Sequence, residues 1–186
     1  MLRAVGIDLG TSKAVVAALR RGEPLALFGR ERSPIVPALV ARGPKGRLLV
    51  GHAARAHADE GVQAATLAHG AAASPAGLPY TRVELIALFL AQLKQDAEDA
   101  LGEPVRRAVL AIPVYFGQGQ MAALDEAARL AGLIPLRLVQ SPIAAVLAYS
   151  AGRPGLSPQT VLVFDLGSGC LDVAVVHLFH GAVAPL

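Results

Sequence analysis

The same strand–turn–strand pattern occurs near both ends of the chain, and this duplication constrains the fold more than any other feature. The first copy covers residues 5–19 and the second covers residues 161–176. Each has Asp-Leu-Gly at its centre, beginning at Asp8 and at Asp165. Apolar residues flank both turns, which is typical of β-hairpins. Two copies of one turn predict that both contribute to a single ligand site.

Between the two hairpins, strand patterns alternate with helix patterns. Thr81 and Glu84 have the spacing of a capping box, and apolar residues then recur every fourth position as far as Gly102. This pattern predicts a helix. Strands interleaved with helices are typical of the α/β class, and the two antiparallel hairpins require the sheet to be mixed.

The remaining elements are less strongly marked. Apolar runs predict strands at 105–112 and 136–139, and helical patterns follow each of them. These helices are expected at 118–131 and, with Ser141 as the N-cap, up to position 149. Short strands and loops are expected over 24–50, and a surface connection or weak helix over 61–79.

Composition excludes several classes of function. The net charge of +3 comes from scattered residues without a basic run, so no nucleic-acid partner is expected. The longest apolar run is far shorter than the roughly 20 residues that cross a bilayer, and Asp8 interrupts the first apolar stretch before a signal peptide forms. One cysteine and five dispersed histidines predict neither disulfides nor a zinc-type site. We therefore expect a cytoplasmic protein without a membrane partner.

The two turns carry the groups that a phosphate ligand needs. Glycines let backbone amides approach phosphate oxygens, and neighbouring hydroxyls add donors. Asp8 and Asp165 end equivalent strands and suit magnesium held through its water molecules. One Asp-x-Gly sequence alone is more often an ordinary turn. Two matched copies favour a magnesium-nucleotide site whose predicted binding residues are Gly10, Thr11, Ser12, Lys13, Gly167, Ser168 and Gly169.

Three segments resemble one protein family. They are GIDLGTS at 6–12, DLGSGCLDVAVV at 165–176, and the long AVLAIPVYFGQGQMAALDEAARLAGLIPLRLVQSPIAAVLAY at 108–149. Together they resemble the nucleotide-binding domain of the heat-shock protein 70 chaperones, in the actin-like ATPase superfamily. The resemblance implies a ribonuclease-H-like fold, with a mixed sheet flanked by helices, that binds ATP or ADP with magnesium.

The same resemblance implies a domain plan and a set of roles. Residues 1–186 correspond to the first of two lobes, with an outer subdomain shortened around 30–104. Asp8, Asp165 and Asp172 correspond to carboxylates associated with magnesium and catalysis. Nucleotide is the implied ligand, and client proteins or co-chaperones are implied partners through other domains. The high apolar content, 54% of the residues, also predicts self-association of the isolated lobe.

Departures from the family pattern concern hydrolysis. Matching the closing glycine of the family segment to Gly70 places Thr66 at the position of the family's catalytic lysine, or His69 if the helix register differs. Ser141 replaces a glutamate that positions magnesium and water. Cys170 replaces a threonine and is a weaker hydrogen-bond donor. We therefore expect weak hydrolysis or none. Lys13 has two interpretations, a replacement for the lysine or, as we favour, a solvated lysine at a strand start.

Two alternative functions remain open. In the first, the chain is a nucleotide-sensing or protein-interaction module that does not hydrolyse ATP. In the second, it is an actin-like assembly protein. The sequence Asp-Leu-Gly-Thr-Ser-Lys at 8–13 favours assembly, because it also resembles the first phosphate loop of bacterial cell-division and pilus proteins. The segment 108–149 speaks against it.

Overall fold

A computed structural model describes residues 4–29, 31–57, 64–66, 79–151, 153, 158–179 and 182–185. The helices in these ranges are α1 (His52–Ala56), α2 (Arg82–Leu101), α3 (Gln118–Leu130) and α4 (Ser141–Ala151), with a short 3₁₀ turn at Pro44–Gly46. The strands are β1 (Ala4–Leu9), β2 (Lys13–Arg20), β3 (Glu23–Ala26), β4 (Ile35–Pro37), β5 (Leu39–Arg42), β6 (Leu48–Val50), β7 (Ala64–Thr66), β8 (Arg107–Ile112), β9 (Ile134–Gln140), β10 (Gln159–Leu166), β11 (Leu171–Phe179) and β12 (Ala182–Pro185).

The first hairpin forms the centre of a six-stranded mixed sheet. The strand order is β3-β2-β1-β8-β9, and β4 also pairs with β2. β1 and β2 are antiparallel, whereas β1 pairs with β8, and β8 with β9, in parallel. The mixed sheet and the α/β class predicted from the sequence are confirmed.

The main core lies between this sheet and the helices α2 and α3. Alternate residues of β1, β2 and β8 are buried, as period-2 strands require, and Val5 and Ile7 are typical of them. The predicted capping box starts α2: Thr81 accepts from the Glu84 amide, and Glu84 accepts from the Thr81 amide. α2 ends at Gly102 in the left-handed conformation, φ +69°, which glycine adopts at low cost.

The second hairpin does not extend the mixed sheet. β10 and β11 pair antiparallel and, with β12, form a separate three-stranded sheet. α4 contacts strands of both sheets and buries Val146 against Val176 and Leu178. The expectation of one sheet for both hairpins is therefore wrong, because hairpin pairing fixes only a local partner and α4 lies between the two sheets.

Two smaller expectations also need correction. Ser141 is the first residue of α4, where the sequence predicted the N-cap that precedes the helix, and its hydroxyl donates to the Ile112 carbonyl at 3.1 Å, which links α4 to β8. Residues 64–66 form β7, which pairs with β5 in a third sheet, where a loop or weak helix was expected. The neighbouring residues 58–63 and 67–78 lie outside the described ranges. Within the described ranges, no helix has both the length and the apolar character needed to cross a membrane.

Candidate phosphate-binding site

The two Asp-Leu-Gly turns are closed by equivalent backbone hydrogen bonds. In the first, the Gly10 amide donates to the Lys13 carbonyl at 3.0 Å; in the second, the Gly167 amide donates to the Cys170 carbonyl at 2.9 Å. A Cβ atom on Gly10 would lie 3.0 Å from the Lys13 carbonyl oxygen, which is too close for comfortable packing. The corresponding distance at Gly167, to the Cys170 carbonyl oxygen, is 3.2 Å, so both turns favour glycine at this position.

The turns also touch each other. Ser168 donates to Ser12 Oγ at 2.6 Å and lies 2.8 Å from Thr11 Oγ1. Since the single Ser168 proton is directed at Ser12, Thr11 is the donor in the second bond. A Cβ atom on Gly169 would lie 3.1 Å from the Thr11 side chain, so this close approach requires glycine. The two turns therefore lie side by side, and a single ligand site shared by both stays a prediction.

A cavity of about 910 Å³ opens beside the paired turns. Its size falls within the range of roughly 300–1,000 Å³ that is typical of small-molecule sites. Nine of the predicted site residues line it; Gly169 does not, and instead supports Thr11. The nine are Asp8, Gly10, Thr11, Ser12, Lys13, Asp165, Gly167, Ser168 and Asp172.

Carboxylates dominate the electrostatics of this end of the cavity. The cleft walls reduce the water around Asp8, and this desolvation raises the pKa of its carboxyl group; the nearby Asp165 raises it further, while Lys13 opposes the shift. Asp172 lies opposite Asp165 in the hairpin and is 7% exposed. Such crowded negative charge favours a cation between the carboxylates.

The residues present fit a magnesium ion held through water. Among the described residues, no three His, Cys, Asp or Glu side chains converge closely enough to hold a metal directly. Mg²⁺ retains several water molecules and needs only one or two carboxylates besides phosphate oxygens. The Asp8 and Asp165 carboxylates and the glycine turns supply that combination.

Residues of α2, of α3 and of the segment after β8 line the rest of the cavity. This wall carries apolar side chains, among them Val83, Ile86, Phe116, Leu124 and Leu130, together with the charged Arg82, Glu84 and Glu126. Tyr115 lies at this wall beside Cys170, and desolvation followed by the neighbouring Cys170 raises the pKa of its hydroxyl. Cys170 thus faces a phenol, a contact between residues far apart in sequence.

Two positions that depart from the family pattern, Ser141 and Thr66, lie in different parts of the fold. Ser141 lines the cavity, with its hydroxyl occupied by the Ile112 carbonyl. The backbone of Thr66 pairs with Leu39 in the third sheet. Sequence analysis missed Arg82, which lines the cavity from the first turn of α2. A signal was available, because a basic residue is unfavourable at the positive end of a helix.

Comparison with known proteins agrees with the motifs. A protein-family model described as Hsp70 protein matches residues 4–70 and 61–184. The two matches overlap at 61–70 and together cover nearly the whole chain, including both Asp-Leu-Gly turns.

Proposed function

This chain belongs to the Hsp70 family, and from that premise we propose that it binds the phosphates of ATP or ADP, with magnesium, between its two Asp-Leu-Gly turns. The contact of Ser168 with Thr11 and Ser12 carries the proposal, because it brings the duplicated turns to one cavity. Hsp70 proteins are chaperones with an actin-like ATPase domain, and the mixed sheet with flanking helices agrees with that fold.

Each part of the site has a role in this proposal. Backbone amides near Gly10 and Gly167 and the hydroxyls of Thr11 and Ser12 bind phosphate oxygens. Asp8 and Asp165 would hold the water shell of magnesium, and Asp172, opposite Asp165 in the hairpin, adds negative charge that attracts the ion. Magnesium, when bound, neutralises phosphate charge. The apolar wall of α2 and α3 limits the access of water to the site.

A nucleotide-binding module with little or no hydrolysis is favoured over an active ATPase. Hydrolysis in the family type depends on charge stabilisation and on an oriented attacking water. The residue at the glutamate position, Ser141, is a neutral hydroxyl that already donates to the Ile112 carbonyl. It therefore cannot supply a carboxylate to the water. In a single-turnover assay, nucleotide binding should depend on magnesium, and the release of phosphate should be very slow.

The proposal includes the wider plan of the molecule. Residues 1–186 are taken as the first lobe, with an outer subdomain shortened around 30–104, in a cytoplasmic chaperone of which this chain is the ATP-binding part. Client proteins and co-chaperones are proposed as partners of the wider protein. Self-association of the isolated chain is proposed from its exposed apolar residues.

Calorimetric titration of the chain with magnesium-ATP tests the proposal. We expect a Kd near or above roughly 1 mM, because one lobe contributes phosphate contacts without enclosing the adenosine, and affinity depends on burial. A micromolar Kd would show that the second lobe is unnecessary. Absence of any binding at concentrations well above that value would refute the phosphate site itself.

A further inference from the structure

Three hydroxyl groups from the two turns form a continuous chain of hydrogen bonds. Thr11 Oγ1 lies 2.8 Å from Ser168 Oγ, and Ser168 donates to Ser12 Oγ at 2.6 Å. The second distance is shorter than the usual O–H···O distance of about 2.7–2.8 Å, so the two serine side chains are in close contact. The bonded residues are 156 and 157 positions apart, so the chain of hydroxyls crosses from one turn to the other.

The chain of hydroxyls has a direction. Each serine or threonine hydroxyl has one proton and can donate one bond. The proton of Ser168 is directed at Ser12, so Ser168 accepts from Thr11. Ser12 ends the chain: within the described ranges its hydroxyl accepts from Ser168 and donates to no other residue. Of the three protons, the one on Ser12 is therefore left for a ligand.

The two ends of the chain of hydroxyls have different surroundings. Thr11 is 9% exposed, and a Cβ atom on Gly169 would lie 3.1 Å from its side chain, so the turns enclose this end. Ser12 is exposed and lines the cavity. The proton that the chain leaves unengaged is thus at the open end, where a ligand can reach it.

The direction of these bonds determines which kind of ligand the open end accepts. With the opposite direction, Ser12 would give its proton to Ser168, and oxygen lone pairs would face the cavity. Lone pairs repel phosphate oxygens, whereas an O–H group donates to them. Hydrogen bonds in a series also polarise one another, which strengthens the last donor. Because Asp8 and Asp165 line the same cavity and repel an anion, a donor fixed at this end favours phosphate binding.

We propose that Ser168 is a positioning residue, which holds the Ser12 hydroxyl so that its proton is donated to a phosphate oxygen of the nucleotide. Thr11 fixes Ser168 from the enclosed end. This inference rests on the proposed nucleotide site and narrows its hydroxyl donors to Ser12. Ser168, a predicted binding residue, thus acts through its neighbour on the other turn.

Titration of the full chain with magnesium-tripolyphosphate, followed by the NMR signals of backbone amides in the two turns, tests this role without the adenosine. Ser12→Ala should weaken binding by about tenfold to a hundredfold, because a hydrogen bond to a charged oxygen is lost. Ser168→Ala should weaken it by about twofold to tenfold, because the Ser12 hydroxyl is kept but is no longer fixed. Ser168→Thr keeps a hydroxyl and should recover most of the affinity.

The double variant separates positioning from a purely structural role. If Ser168 acts through Ser12, Ser168→Ala should cause no further loss of affinity once Ser12 is replaced by alanine. Ser150→Ala is the matched control, because the Ser150 hydroxyl also makes one bond, to the Leu147 carbonyl at 2.9 Å, but lies on α4 outside the cavity lining. Its affinity should equal that of the wild type, and the same spectra show whether each variant is folded.

The outcomes distinguish this role from the site itself. Wild-type affinity in Ser168→Ala or in Ser12→Ala, or losses that simply add in the double variant, would overturn the positioning role and leave the nucleotide site intact. A wild-type chain that does not bind tripolyphosphate would overturn the proposed function, and the role of Ser168 with it.

Discussion

The two hairpins share a turn but differ in how their strands are covered. Ile7, one residue before the first aspartate, is 2% exposed in the main core. Phe164 occupies the equivalent position before the second aspartate and is 63% exposed. Likewise, Val5 is 2% exposed, whereas its counterpart Leu162 is 66% exposed. Matched sequence positions therefore have opposite surroundings.

The difference teaches that turn geometry and strand burial have separate causes. Each turn is closed by its own amide-to-carbonyl bond, which needs no contact from the rest of the molecule. Burial depends on neighbours: α2 and α3 cover one face of the first sheet, while α4 covers only part of the second. On the open face of the second sheet, Phe164 lies opposite Val173 and Leu162 opposite Val175. These four residues form what we call the open apolar face.

The largest expected effect compares Ile7→Ala with Phe164→Ala. Ile7→Ala should lower the free energy of unfolding by about 2–5 kcal/mol, because it leaves a cavity in a packed core. Phe164→Ala removes a mostly exposed ring and should cost less than about 1 kcal/mol. Urea unfolding of both variants measures the difference. Equal losses would mean that the open apolar face is covered in solution.

The second prediction is that the isolated chain self-associates through the open apolar face, which would cover these four residues. Phe164→Ser should weaken association of the isolated chain by about tenfold to a hundredfold, since a buried aromatic side chain contributes roughly 1.5–3 kcal/mol. Sedimentation at several concentrations and binding of a hydrophobic dye provide the measurement. Leu19→Ser is the control, because Leu19 is an exposed apolar residue of the first hairpin. A wild-type chain that stays monomeric and binds no dye would contradict the prediction.

The third prediction tests whether the turns act together despite the difference in burial. Asp8→Ala and Asp165→Ala should each weaken binding of magnesium-ATP by about tenfold or more, because each removes a carboxylate that holds the metal's water shell. With magnesium chelated, the same variants should bind ATP no more weakly than the wild type, since a repelling charge is gone. Loss of binding in only one variant would show that a single turn holds the ion.

The carboxyl group of Asp8 makes binding depend on pH, which is the fourth prediction. Its pKa is raised above the ordinary value of 3.8, mainly by desolvation and next by Asp165. Ionisation of Asp8 therefore disfavours the folded chain. The protonated carboxyl group contributes its full stabilisation below pH 3.8, and this contribution is lost as the pH rises through the raised pKa. Magnesium needs the ionised form, so affinity should rise over that window, by at most about tenfold per pH unit. Calorimetry across the window should show a flatter profile for Asp8→Asn, and an identical profile would exclude Asp8 as the cause.

Local features of the fold could be predicted from the sequence because short-range chemistry determines them. The Thr81 capping box and the two Asp-Leu-Gly turns are closed by bonds within a few residues. The separate second sheet could not be predicted, since a hairpin pattern does not specify its neighbours. Arg82 was missed for a related reason: its place in the cavity depends on α2 packing beside turns that are distant in sequence.

The smallest expected effect concerns the contact that joins the two hairpins. Ser168→Ala removes the bond to Ser12 and the bond from Thr11, but the site is partly solvated, so the loss in unfolding free energy should be only about 0.5–1 kcal/mol. Ser12→Ala removes one bond and should cost less. Thr11→Val combined with Ser168→Ala gives a double-mutant cycle, and the combined loss should be smaller than the sum of the single losses because both changes break the same bond. Strictly additive losses would mean that the bond between Thr11 and Ser168 contributes no coupling energy between the two hairpins. In that case the hydroxyl bonds would add nothing to the packing of Gly169 against Thr11 and of α4 against both sheets, and the shared phosphate site would depend on that packing.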